Sequence, residues 1–228
     1  MNENTPNTRI SRRGRRKAEL LRLLGERDVN GIIAWSQSVS DPLGQLSTAL
    51  FEADPLIRWR AIEAIGLIAA ELARDAEEKV RSCLRRLLWL MNDESGGICW
   101  YAPEAIAEIL FRTPALIEEY GPILLSFLKE EPFEAGVCLG VARLMDLTDL
   151  PDDFERRIAD SEVVFRRYLE SPNPGLRAGA LMVLTRLGGE LVKETINRLV
   201  LADASIGVYD FNSGELVEVN ISDMISDR

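Results

Sequence analysis

Asp54-Pro55-Leu56-Ile57-Arg58-Trp59-Arg60-Ala61-Ile62-Glu63-Ala64-Ile65-Gly66 is the stretch on which the reading of this chain turns. Part of it returns 41 residues later as Trp100-Tyr101-Ala102-Pro103-Glu104-Ala105-Ile106-Ala107. Trp59 then matches Trp100, Ala61 matches Ala102, and Glu63 matches Glu104. A second pair lies downstream, where Phe133-Glu134-Ala135-Gly136-Val137 matches Leu176-Arg177-Ala178-Gly179-Ala180. With Ala61 as reference, its counterparts are Ala102, Val137 and Ala180, at spacings of 41, 35 and 43. Self-similarity at such intervals is the signature of stacked helical pairs, in which each unit buries its apolar face only against its neighbours.

The segments between these motifs fit the same plan. Residues 76–91, 114–129 and 153–170 carry apolar side chains at helical spacing, such as Val80, Cys83, Leu84, Leu87 and Leu88. Asp54-Pro55, Thr113-Pro114 and Asn173-Pro174 each set a capping side chain before a proline suited to the first helical position. Residues 17–40 read as two short helices covering the open end of the stack. Near the C-terminus the period changes to two. Ile206–Phe211, a turn at Asn212-Ser213-Gly214, and Leu216–Ile221 read as a β-hairpin. A lone hairpin is marginal in water, so it must pack on the last helices or pair with another chain.

The Asp54–Gly66 stretch resembles the second half of a HEAT repeat (the HEAT-like, PBS-lyase-type group). The family pattern is Asp-Pro, an aliphatic-Arg pair, then alanines and Ala-Leu-Gly at helical intervals. Asn173-Pro174-Gly175-Leu176-Arg177 with Ala180 and Val183-Leu184 is a second match, whereas the copies at 93–107 and 130–141 are degraded. The resemblance covers about residues 40–200. It implies an all-α fold, a right-handed α-α superhelix (HEAT-like solenoid) of about four to five helical pairs, with the small C-terminal β-hairpin appended. The expected divisions are a flexible basic arm at 1–16, the repeat domain at 17–204, and the hairpin and tail at 205–228. HEAT folds host scaffolds, lyase-like chaperones and a few enzymes, so fold alone does not assign an activity.

The helical wheel singles out candidate site residues. From Pro55 onward, Ile57, Ala61, Ile65, Ile68 and Leu72 share one arc, and Trp59, Glu63, Gly66 and Ala70 share the opposite one. The second copy puts Trp100, Glu104, Ala107 and Phe111 on that opposite arc. In HEAT-like solenoids the second helix of each pair lines the concave surface, so the resemblance implies that these side chains face the groove. Two indoles and two carboxylates there would suit a cationic or flat group, such as a Lys or Arg side chain of a protein or peptide partner. The competing reading buries the indoles between repeats and pairs the glutamates with backbone or with Arg58 and Arg60. Asp93 and Glu94, in the loop Asn92–Gly97 before Trp100, form either a lip of the groove or an ordinary inter-helix turn.

Composition narrows the chemistry. The 228 residues include no histidine, which excludes His-dependent nucleophile triads, imidazole proton shuttles and His-ligated metals. The three cysteines (Cys83, Cys99 and Cys138) form no disulfide framework and read as small core residues. No cofactor and no metal is expected. Six of the 27 cationic residues but only one of the 37 acidic ones fall within residues 1–17. The remaining body is therefore strongly acidic and should repel a phosphate backbone. The expectation is a non-catalytic interaction scaffold, cytoplasmic, without a membrane span or signal peptide. The alternative is a HEAT-like alkylpurine DNA glycosylase, or another nucleic-acid-acting enzyme, using groove tryptophans with a carboxylate.

Overall fold

The computed structural model describes residues 12–92, 97–188 and 205–221. Among these the chain forms eleven α-helices and one two-stranded antiparallel sheet, an all-α fold with a small C-terminal hairpin. Four helices carry the repeated motifs: α4 (Pro55–Ala73), α6 (Ala102–Arg112), α8 (Glu134–Leu144) and α11 (Pro174–Leu187). They pack side by side in chain order as one layer. A Cβ on Gly140 would come within 2.8 Å of the Ala107 Cβ, so the approach of α8 to α6 requires glycine there. Small residues at the repeated positions thus set the close spacing of the layer.

Five further helices lie to one side of this layer. They are α3 (Pro42–Thr48), α5 (Glu77–Met91), α7 (Ile117–Ser126), α9 (Asp152–Asp160) and α10 (Glu162–Tyr168). Helix α5 rests on α4 and α6, α7 on α6 and α8, and α10 on α11. Val80, Cys83, Leu84 and Leu87 of α5 are all buried, as their spacing requires. At the front, α1 (Arg12–Glu26) and α2 (Val29–Gln37) close the stack against α4. Helix α1 begins within the segment expected to be a flexible arm: Arg12, Arg13, Arg15, Arg16 and Lys17 are helical, and Lys17 reaches Glu52 at 2.7 Å. Residues 1–11 of that arm lie outside the described residues.

Two of the three cap-and-proline pairs read from the sequence act as helix caps. Asp54 accepts from the Leu56 amide at 2.8 Å, and Asn173 accepts from Gly175 and Leu176. Each satisfies an amide that the first turn leaves open. Thr113 makes no such cap for the helical turn at Pro114. It is buried, and its hydroxyl bonds back to the Ile109 carbonyl at 2.7 Å, finishing α6.

The hairpin joins β1 (Ser205–Asp210) to β2 (Glu215–Asn220) in the register Tyr209–Leu216 and Val208–Val217. It lies on the face of the four-helix layer opposite the covering helices. It touches α11 but also reaches across to α4, so its seat is wider than the last helices alone. That seat explains why α4 is buried without a break from Arg60 to Gly66. A helix covered on both sides has no solvent stripe.

Candidate site on the covered wall of the helical layer

The hairpin turn is clamped by two arginines. Arg27, in the corner between α1 and α2, donates to the carbonyls of Phe211 (2.6 Å) and Asn212 (2.9 Å). Arg60 of α4 is buried and donates to the Gly214 carbonyl at 3.0 Å and to the Glu215 carboxylate at 2.7 Å. Gly214 has φ +73°, and a Cβ there would collide with the Arg27 side chain. Glycine is therefore required both by the backbone and by the clamp.

Beside the clamp, the Trp59 indole stacks on the Tyr209 ring, with centroids 5.6 Å apart and planes within 6°. Phe211 meets both rings edge-on. Offset stacks and edge contacts are the favoured aromatic geometries. Glu63 sits below them, 5% exposed, and its carboxylate is fully engaged. Arg27 donates to it at 2.7 and 3.1 Å, and the Tyr209 hydroxyl donates at 2.6 Å. Burial, and next the bond to Glu63, hold the Tyr209 hydroxyl well above its ordinary pKa. The arginine that pairs Glu63 is thus Arg27. Arg58 instead bonds the Glu52 and Ala53 carbonyls and the Tyr101 hydroxyl.

A second cluster lies further along the layer. Glu108, 1% exposed, accepts from Arg112 at 2.8 Å and from Arg143 at 2.9 Å. The Arg143 guanidinium is held between the Phe111 ring (3.5 Å to its centroid) and the Phe211 ring (4.1 Å). Phe111, expected on the partner-binding arc, meets a cation of its own chain. Arg186 pairs with Asp146 at 2.8 Å.

Between the two clusters a cavity of about 430 Å³ opens under β1. Its apolar wall includes Trp59, Ala107, Leu139, Met182, Ile206 and Val208. Glu104 also lines it, 8% exposed, with its Oε2 buried and without a hydrogen-bond partner among the described residues. The carboxyl lies against Gly136, where a Cβ would come within 2.7 Å of Oε2. Burial pushes the Glu104 carboxyl up to about 7, opposed only in part by a backbone hydrogen bond. Glu104 stands in the first turn of α6, where the helix dipole favours a negative charge.

The expected open groove of two indole–carboxylate couples is therefore built differently. Trp59 is half-buried under the hairpin, Glu63 and Glu104 are buried, and only Trp100 of the four is exposed, at 66%. Trp100 precedes α6, whose first residue is Ala102, so the helical wheel does not set its direction. Asp93 and Glu94 lie outside the described residues. The sequence reading offered Arg60 to the repeated glutamates, whereas Arg60 pairs with Glu215, and it missed Arg27, Arg143, Tyr209 and Phe211. Their one visible signal was a hairpin that could not stand alone. The cysteines are buried, and burial raises the thiol pKa of Cys99 to about 11, so they are poor nucleophiles.

Comparison with known proteins adds one relative: the chain is 28% identical over 182 residues to an uncharacterized protein of Archaeoglobus fulgidus. The match covers 79% of this chain and 92% of that protein. No family model matches the chain, and no solved structure does. No helix among the described residues is long and apolar enough to cross a membrane.

Proposed function

We propose that this protein is a non-catalytic, HEAT-like interaction module whose repeated helices form a wall that receives a peptide segment of a partner protein. One observation carries the reading. The wall already holds an extended segment, its own hairpin, through an aromatic stack, a buried carboxylate and two arginines on main-chain carbonyls. Main-chain hydrogen bonds with side-chain pockets are how extended peptides are generally recognised. The cavity under β1 leaves room on the same wall for a partner side chain, and its volume is within the range of ligand sites.

Selection of displayed peptides tests the reading. Peptides bearing Lys or Arg are expected to enrich on the wild type and to disappear with a Leu139→Trp, Met182→Trp variant that fills the cavity. Equal enrichment on both proteins, or none on either, would refute it.

The enzymatic alternative has one feature in its favour, a buried carboxyl beside an indole on a cavity. Phosphate contact would require free arginines, but Arg27, Arg60, Arg112, Arg143 and Arg186 on this wall are engaged by acids and carbonyls of the same chain. Incubation with alkylated duplex DNA should therefore release no base.

A further inference from the structure

The internal repeat places Glu63 and Glu104 at equivalent positions 41 residues apart, yet the two carboxylates are treated differently. Glu63 holds a guanidinium supplied by Arg27 and a hydroxyl supplied by Tyr209. Glu104 is as deeply placed, and its Oε2 has neither. Buried polar groups in folded proteins are nearly always bonded, so an orphan on a cavity points to a donor that arrives from outside.

The charges around the cavity agree. Its lining holds Glu104, Glu108, Asp146 and Asp210 against Arg143 and Arg186. Both arginines are paired, with Glu108 and Asp146 respectively. The Asp210 carboxylate accepts from the Asn212 and Ser213 amides of the hairpin turn. Among the described residues, Glu104 is the lining acid that no side chain pairs, beside an apolar wall with an indole at one end.

We propose that the cavity under β1 is a receptor for a guanidinium or ammonium group on a slender apolar stem, with Glu104 as its counter-ion and Trp59, Leu139 and Met182 flanking the stem. The site deepens the reading of the wall as a peptide-binding surface and rests on it only for the source of the cation. A charge-assisted bond inside a dry pocket is stronger than one in water, and removing one partner of such a pair is costly.

The test uses butylguanidinium, neutral butylurea and a capped Ala-Arg-Ala peptide, read by the Trp59 indole resonance of the full-length protein. Butylguanidinium and the peptide are expected to shift that resonance saturably at millimolar concentrations, with butylurea binding at least tenfold more weakly. Glu104→Gln should weaken butylguanidinium at least tenfold while the helical circular dichroism is retained. Leu139→Trp, which narrows the cavity and keeps Glu104, should also abolish the shift. Equal binding of butylurea and butylguanidinium, or undiminished binding by Glu104→Gln, would overturn the site, even if selected peptides still bound elsewhere on the wall. Binding of butylguanidinium without the peptide would support the site and remove the peptide reading.

Discussion

Glu63 and Glu104 share a sequence environment and differ in what surrounds them. At Glu63 three donors converge, so burial of the carboxylate is compensated by hydrogen bonds. At Glu104 desolvation dominates, and the folded-state pKa rises to about 7 from 4.5. A carboxyl raised in this way contributes its full stability at pH below the unfolded value and loses it as pH climbs through the folded value. Glu104→Gln removes that loss. The variant is therefore expected to gain on the wild type between about pH 4.5 and pH 8, by up to about 3 kcal/mol. Urea midpoints of both proteins at pH 5 and pH 8 check this. A difference independent of pH would mean that the carboxyl is not desolvated.

At the scale of elements, the hairpin is the piece whose placement decides the site. Two strands of this length have little independent stability, so the seat on α4 must supply it. Trp59, stacked on Tyr209, and Arg27 and Arg60 on the turn are the contacts that do so. Trp59→Ala is expected to speed amide exchange in residues 205–221 about tenfold, equivalent to about 1.4 kcal/mol, with helical circular dichroism unchanged. Trp100→Ala, at an exposed site before α6, should leave stability within about 0.5 kcal/mol and hairpin exchange unaltered. Equal effects of the two substitutions would mean that the hairpin does not rest on Trp59.

At the scale of the whole molecule, the order of helices was legible because it is local. Spacings of 41, 35 and 43 placed the four motif helices, and the prolines at 55 and 174 marked two of their starts. The period-two pattern after residue 205 located both strands and their turn. The position of the hairpin was not legible, because it depends on pairs far apart in sequence: Arg60 with Glu215, and Tyr209 with Glu63. A helical wheel assigns a face but not what covers it. The arc bearing Trp59 and Glu63 is lined by the chain's own C-terminal segment. The apolar residues all around α4, from Ala61 to Ile68, were the one hint that both of its sides are occupied. Thr113 illustrates the opposite case, a local signal overridden when burial made its hydroxyl bond backward.

The wall under the hairpin thus carries one filled and one unfilled carboxylate position. Titration of the Glu104 side-chain carboxyl by carbon-13 NMR reads that state most directly. Without additive it is expected to titrate near 7, and butylguanidinium should move it down toward the ordinary carboxylate range. Titration at about 4.3 in the free protein, unmoved by the additive, would contradict both the buried orphan carboxyl and the cation site built on it.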